Sequence, residues 1–186
     1  MQDIIEREAT YADLEAVPPH LVAEILNGRL VTHPRPAPRH AVTAASLTDE
    51  LVSPFQKGRG GPGGWIFMTE PELHFGRDVA VPELAGWRRE RMSALPETAY
   101  IETPPDWLCE VLSPSTETYD RGDKREIYAR AGVKHLWLAD PRVEILEVFE
   151  LTGGRWLLMG TYDGDAAVRA VPFDAIEFAL GQLWPL

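Results

Sequence analysis

One stretch constrains the fold more than any other: PPDWLCEVLSPSTETYDRGDKREIYARAGVKHLWLADP, from Pro104 to Pro141. It contains an apolar run, a turn rich in serine, proline and threonine, an amphipathic segment and a second apolar run. Its periodicity predicts a strand near residues 106–112, a helix over 117–131 and a strand over 135–139. This order of elements is typical of α/β architecture, with the helix packed on the sheet.

Two charged residues in this stretch point toward the predicted interior. Successive side chains of a strand alternate between its faces, so Glu110 shares a face with Leu108 and Leu112. On the helix, Lys124 belongs to the stripe that faces the sheet. That stripe consists of Asp120, Lys124, Ile127, Tyr128 and Ala131. Burying an unpaired charge is costly, so Glu110 and Lys124 need partners: each other, a cation, or both.

A third inward charge lies in VAVPELAGW, residues 79–87. Alternation places Glu83 on one face with Val81 and Ala85. Pro82 cannot donate a hydrogen bond to a neighbouring strand, so it predicts a bulge or a strand edge at the position that orients Glu83.

The rest of the chain predicts further helices and strands around this unit. Thr10, followed three residues later by an acidic residue, is typical of a helix N-terminus. The run HLVAEIL favours a short helix that ends at Asn27-Gly28. Helical spacing over about 38–55 places His40 on the inward side. Alternation and turn residues predict strands near 29–32, 65–75, 79–87, 144–151 and 155–162.

Size and composition predict a single domain over residues 1–186, because 45% of the 186 residues are hydrophobic. No apolar run approaches the roughly 20 residues that span a bilayer. We therefore expect a cytoplasmic protein with no membrane partner. Cys109 is the single cysteine, which excludes a disulfide framework within the chain.

The net charge of −11 by itself disfavours binding to phosphate groups. The acidic residues are concentrated at the two ends, however: residues 1–30 hold six acids and two bases, and residues 140–186 hold eight and three. Basic residues cluster in the middle. They are either ordinary solvated surface or, if the protein binds DNA, candidate phosphate contacts. The candidates are Arg88, Arg89, Arg91, Arg121 and Arg125.

The inward carboxylates and the lysine allow two interpretations. In the first, Glu110 and Lys124 form a buried ion pair that only joins helix to strand. In the second, two carboxylates hold Mg²⁺ or Mn²⁺, because hard divalent ions prefer carboxylate oxygens. Lys124 would then position a water molecule and offset charge on a phosphate group. The spacing of the residues leaves both interpretations open.

Three segments together resemble the Uma-type family of putative restriction endonucleases, within the PD-(D/E)XK nuclease superfamily. They are VAVPELAGW, PPDWLCEVLSPST and DRGDKREIYARAGVKHLWLADP, and the resemblance extends from about residue 10 to residue 151. It implies a restriction-endonuclease-like fold of the α/β (α+β) class, in which a mixed central β-sheet is flanked by helices. It also implies an endonuclease that hydrolyses DNA phosphodiester bonds, with Mg²⁺ as the cofactor.

The resemblance assigns roles to individual residues. Glu83 follows the proline of the PD element and Glu110 occupies the (D/E) position, so both would be catalytic residues and metal ligands. The superfamily's lysine usually lies two residues after that glutamate, where this chain has Leu112. Lys124, on the next helix, is matched to the catalytic lysine instead. Glu24, placed on a helix, is a candidate for a further metal ligand.

Several expectations depend on this assignment. The carboxylates of Glu83 and Glu110 should lie within about 3–6 Å of each other, close enough to share a cation. His40 fits a structural histidine better than a catalytic one. Cleavage of both strands of a duplex needs two sites, which predicts a homodimer. The alternatives are a non-catalytic protein that keeps the fold as an interaction or nucleic-acid-binding module, and a nuclease that acts on RNA.

Overall fold

The computed structural model describes residues 7–184. The helices are α1 (Tyr11–Glu15), α2 (Pro38–Leu51), α3 (Glu117–Arg121) and α4 (Asp123–Ala131), with a π-helical turn at Val52–Gln56 and a 3-10 turn at Leu180–Leu183. The strands are β1 (Leu21–Leu26), β2 (Arg29–Pro34), β3 (Trp65–Thr69), β4 (Glu72–Phe75), β5 (Asp78–Ala80), β6 (Leu84–Arg88), β7 (Tyr100–Ile101), β8 (Trp107–Val111), β9 (His135–Asp140), β10 (Ile145–Thr152), β11 (Arg155–Asp163), β12 (Ala167–Val168) and β13 (Phe178–Ala179). None of the helices described is both long enough and apolar enough to cross a membrane.

Six strands form the central sheet, in the order β11-β10-β9-β8-β6-β3. β8 and β9 run parallel and are joined through α3 and α4, whereas the other neighbours run antiparallel. Parallel neighbours need such a crossover connection. The strand–helix–strand unit predicted over residues 104–141 and the mixed sheet flanked by helices are therefore confirmed.

A second sheet of five strands has the order β2-β1-β5-β4-β7. The sequence did not predict it, because residues 65–75 and 79–87 each gave the pattern of one strand. Each segment forms two strands, of which β3 and β6 join the central sheet while β4 and β5 join the second one. The chain passes from β5 to β6 through an irregular segment that contains Pro82. Glu83 lies at this crossing.

The helix predicted before Asn27-Gly28 is wrong, because residues 21–26 form β1. Asn27 and Gly28 have φ angles of 52° and 76°, and they connect β1 to β2 with Leu26 paired to Arg29. A two-residue hairpin turn requires this left-handed conformation at both positions. The same conformation also ends helices, so the residue pair alone does not separate the two structures. Glu24 therefore lies on a strand and not on a helix.

Apolar clusters cover both faces of the central sheet. Trp107 and Cys109 of β8 face a cluster that includes α2 and the C-terminal segment. Leu108 and Leu112 face a second cluster, which includes α4 and strands of the five-stranded sheet. The predicted alternation along β8 is confirmed. Glu110 accordingly points into the layer between the central sheet and α4.

The helix predicted over residues 117–131 is interrupted at Gly122, which separates α3 from α4. Gly122 has φ −110° and ψ −104°, and a Cβ atom there would lie 2.8 Å from the backbone oxygen of Thr118. Glycine thus permits a close approach that another residue would obstruct. Despite the break, Asp120 and Lys124 remain in contact across it.

Candidate active site

Lys124, in the first turn of α4, lies at the centre of a buried cluster of charges. Its Nζ atom is 2.9 Å from Glu110 Oε1, 3.2 Å from Glu24 Oε1 and 3.2 Å from Asp120 Oδ1. The carboxylates belong to β8, β1 and α3, so elements from distant parts of the sequence meet at one ammonium group. The four side chains are only 1–3% exposed.

Further hydrogen bonds hold these carboxylates in place. The hydroxyl of Tyr128 donates to Glu110 Oε1. The backbone N–H of Val81 donates to Glu24 Oε1 over 2.8 Å, and His33 Nε2 lies 3.4 Å from Glu24 Oε2. Groups from α4 and from the five-stranded sheet thus fix the positions of the acidic side chains.

The charges of this cluster shift one another's pKa. Burial opposes the charged form of Lys124, but Glu110 and Glu24 raise the pKa of its amine well above the usual value. Burial also opposes an ionised Glu24, yet Lys124 and neighbouring donors lower the pKa of that carboxyl to about 2. For Glu110 and Asp120 burial dominates, and it raises the pKa of both carboxyls despite Lys124. A single ammonium therefore does not compensate three buried carboxylates.

Glu83 lies directly before β6 and contacts α2 through His40, with 2.9 Å between Glu83 Oε1 and His40 Nε2. Burial lowers the pKa of His40, but the Glu83 carboxylate outweighs this effect and raises it. The antiparallel register pairs Leu84 with Cys109, and its continuation places Glu83 beside Glu110. The charge of Glu83 also contributes to the raised pKa of Glu110. A cation shared by the two glutamates stays a prediction.

Three of the residues predicted from the sequence are in direct contact: Glu24, Glu110 and Lys124. Glu83 lies at the neighbouring strand end. Asp120 and Tyr128 complete the cluster but were not predicted as site residues, although their helical spacing from Lys124 placed both on the inward stripe. That spacing was the signal that could have identified them. His33 had no comparable signal, because it reaches Glu24 only through the pairing of β1 with β2.

The arginines considered for phosphate binding all make contacts within the protein. Arg88 lies 4.1 Å above the ring of Trp65, and Arg91 pairs with Asp106 over 2.6 Å. Arg88 ends β6 at the end opposite to Glu83, about 16 Å away for five residues at roughly 3.3 Å each, and Arg91 lies in the turn that follows. The remaining contacts are Arg89 with the Gln56 backbone oxygen, Arg121 with Glu117 and Glu147, and Arg125 over Phe149.

A cleft of about 340 Å³ opens beside Glu83. One wall is α2 and the other is the turn between β3 and β4. Residues that line it include Arg35, His40, Ala41, Ala44, Glu70 and Glu83. The alanines present little side chain to the cleft, so a ligand can approach close to the helix backbone.

The donor atoms of the cluster suit a hard divalent cation. Carboxylate oxygens of Glu24, Glu110 and Asp120 converge on one position, and Mg²⁺ prefers such oxygens. Among residues 7–184, no three acidic, histidine or cysteine side chains stand in an arrangement that would hold a metal ion as they are. The Lys124 ammonium takes the central position between the carboxylates.

The strands and helices define an α+β fold with a mixed central sheet flanked by helices. It matches the crystal structure of a putative nuclease belonging to DUF820 from Anabaena variabilis ATCC 29413 with a TM-score of 0.74. The two chains are 19% identical, and the match covers 94% of this chain and 97% of that chain. The model of the Uma2 family, described as putative restriction endonuclease, matches residues 9–181, so the chain belongs to this family. No curated protein matches the sequence.

Proposed function

We propose that this protein is a Mg²⁺-dependent endonuclease that hydrolyses phosphodiester bonds of DNA. The observation that supports this most is the excess of carboxylates, three of which lie within 3.2 Å of one buried ammonium. An ion pair that only joined α4 to the sheet would need one carboxylate, whereas each further one adds a desolvation cost. A site that receives a divalent cation accounts for the excess.

Different residues of the chain would have different roles in the reaction. Glu24, Glu83 and Glu110 would hold Mg²⁺, or Mn²⁺ in its place, which supplies a bound water as nucleophile and neutralises charge on the phosphate. Lys124 would orient the attacking water and stabilise the negative charge that develops in the transition state. His40 would fix the orientation of Glu83.

The cleft beside Glu83 offers a path for the nucleic acid strand. Arg35 lies on its wall, where a guanidinium can contact a phosphate group next to the one that is cut. Arg88 is about 16 Å from Glu83 along β6, a distance of several nucleotides, and Arg89 and Arg91 follow it in the turn after the strand. They would contact the DNA backbone farther along and contribute affinity without sequence selection.

A chain with one such site cuts one strand of a duplex at a time. Cleavage of both strands is served by two copies related by a two-fold axis, which matches the symmetry of the duplex. We therefore include a homodimer in the proposal.

The test compares wild type with Glu110→Gln and with Glu97→Gln, an equivalent change at an exposed position outside the site. Plasmid nicking with Mg²⁺ or Mn²⁺ gives the activity, and calorimetry without DNA gives the metal affinity. We expect Glu110→Gln to lower nicking by at least about 10²-fold and Glu97→Gln to leave it unchanged. A wild-type protein that neither binds these ions nor nicks DNA would contradict the proposal.

A second candidate is a non-catalytic module that binds nucleic acid or a protein partner. The observation in its favour is that Glu24, Glu83 and Glu110 already have donors within the protein. The same assays separate the two functions, because this candidate predicts DNA binding without nicking. A parallel assay with an RNA transcript separates DNA from RNA as the substrate.

A further inference from the structure

The ammonium of Lys124 is not accessible to a substrate in this structure, because only 3% of its side chain is exposed. A lysine ammonium has three N–H donors. Carboxylate oxygens of Glu24, Glu110 and Asp120 lie 2.9–3.2 Å from Nζ as ion-pair partners, one for each of these donors. The group lies among residues of β1, β8 and α3, which carry the three carboxylates. Lys124 can therefore donate to a phosphate group or to an attacking water only after it has given up at least one carboxylate.

The same three carboxylates surround a space that fits an ammonium and not a metal ion. Oxygen ligands lie about 2.0–2.1 Å from Mg²⁺, whereas the oxygens here are 2.9–3.2 Å from the central nitrogen. A divalent ion that binds Glu24 and Glu110 would have to draw their oxygens inward. The ion and the Lys124 ammonium could not both stay between these carboxylates, because two neighbouring cations repel each other strongly in a buried site.

We propose that Lys124 is a resident counter-ion that competes with the divalent metal for Glu24 and Glu110. Without metal, Lys124 neutralises part of the buried negative charge and holds the site closed. When a divalent ion takes the two strand-borne carboxylates, Lys124 leaves them and its N–H groups become available to the substrate. Asp120 lies four residues before Lys124, across the break at Gly122, so the released ammonium can keep this contact and stay near the site. The inference rests on the proposed metal site.

The competition predicts an unusual result for a residue proposed to act in catalysis. Lys124→Met removes the charge and keeps the length of the side chain. Calorimetric titration with Mn²⁺, in the absence of DNA, should show that this variant binds the ion at least about tenfold more tightly than wild type, since a buried like charge has been removed. Lys134→Met makes the same change at an exposed position and should bind like wild type.

A second measurement uses the wild-type protein, so that it does not depend on the folding of a variant. An amine-reactive reagent, with peptide-level mass spectrometry, reports the reactivity of Lys124 with and without Mn²⁺. Saturating Mn²⁺ should raise the modification of Lys124 severalfold. Modification of Lys57 and Lys134, both exposed, should not change and provides the internal reference.

The outcomes separate this inference from the proposed function. If wild type binds Mn²⁺ but Lys124→Met binds it equally or more weakly, the competition is refuted and the metal site stands. If Lys124→Met does not fold, unchanged or lower reactivity of Lys124 in wild type with Mn²⁺ refutes the competition by itself. If neither wild type nor the folded variant binds Mn²⁺, the metal site fails and the competition fails with it.

Discussion

At the residue scale, we expect Lys124 to stabilise the folded protein more in the absence of a metal ion than in its presence. Its removal in Lys124→Met leaves Glu24, Glu110 and Asp120 buried without their common cation, and breaking a buried pair in this way costs roughly 3–5 kcal/mol. We therefore expect a lower free energy of unfolding in urea without Mg²⁺. Mg²⁺ should restore much of the stability, because the ion compensates the same carboxylates.

The control for this prediction is Lys134→Met, which should unfold like wild type in both conditions. A large destabilisation of Lys124→Met that Mg²⁺ does not reverse would identify Lys124 as a structural partner of the carboxylates alone. Combined with a wild type that binds no metal, it would favour the non-catalytic candidate.

The pH dependence of stability offers a second test at the residue scale. The pKa of Glu24 is lowered from 4.5 to about 2, so its ionised form stabilises the folded state above pH 4.5 and this contribution is lost as the pH falls toward 2. Glu24→Gln removes the contribution. We expect the stability difference between wild type and Glu24→Gln, measured by urea unfolding, to shrink as the pH falls through this window.

Burial raises the pKa of Glu110 and Asp120. The stability that these two carboxyls contribute therefore decreases as the pH rises, whereas the contribution of Glu24 increases. The comparison of wild type with Glu24→Gln removes most of this background, because both proteins retain these two residues. A difference that is constant between pH 5 and about pH 2.5 would contradict the lowered pKa of Glu24.

At the scale of elements, the break between α3 and α4 sets the geometry of the site. Gly122→Ala would bring a Cβ within 2.8 Å of the Thr118 backbone oxygen, so one of the two helices must move. We expect the unfolding free energy to fall by about 1–3 kcal/mol, the usual cost of forcing in extra atoms. Metal affinity should fall as well, because α3 carries Asp120 and α4 carries Lys124.

Gly132→Asn provides the matched control for this change. Gly132 ends α4 with φ 77°, a conformation that asparagine tolerates, and no atom would contact an added Cβ. This variant should lose little stability and no metal affinity. Equal effects of the two substitutions on metal affinity would show that the break at Gly122 does not position the site.

At the scale of the whole molecule, DNA binding should depend on the basic cluster at the end of β6 and in the turn after it. Replacing Arg88, Arg89 and Arg91 with alanine should reduce the slope of log affinity against log salt by about one unit for each arginine that binds a phosphate group. Fluorescence anisotropy with labelled duplex DNA at several salt concentrations measures the slope. A control with Arg7, Arg29 and Arg77 replaced changes the charge equally and should keep the slope. An unchanged affinity and slope in the first variant would identify that cluster as ordinary surface.

The proposed homodimer can be assigned to a particular edge of the molecule. β11 is an edge strand of the central sheet, and its consecutive residues Leu157, Leu158 and Met159 are exposed. Antiparallel pairing of two copies about Met159 would place Arg155 opposite the partner's Asp163. Within the described part of the chain neither has an ion-pair partner. The apolar residues at the centre of this strand pairing and the opposite charges at its two ends favour a second copy of this chain as the partner.

We expect wild type to sediment as a dimer and Met159→Lys to sediment as a monomer. Leu95→Lys changes an exposed apolar residue in the loop between β6 and β7, away from β11, and should leave the dimer intact. A monomeric wild type would contradict the assignment. It would instead agree with a protective role of the bulge at Met159, which the register with β10 skips between Gly160 and Leu158, since bulges can prevent pairing at an edge.

The sequence by itself determined the elements whose periodicity was clear and whose neighbours were local. The alternation along β8 placed Glu110 in the interior, and the helical spacing from Asp120 to Tyr128 placed Lys124 opposite it. The family resemblance followed from this stretch together with residues 79–87, because the residues within each segment are contiguous. These features depend on side-chain direction within one element, which backbone geometry fixes.

Only the tertiary structure decided which elements meet. The pair Asn27-Gly28 is compatible with both a helix end and a hairpin turn. It forms a hairpin turn because β1 pairs with β2. The packing of β1 against α4 placed Glu24 beside Lys124, about a hundred residues away in sequence. The division of residues 79–87 between two sheets and the contact of His40 with Glu83 likewise depend on long-range packing. Local propensity does not encode such contacts, because their free energy arises only when distant segments exclude water together.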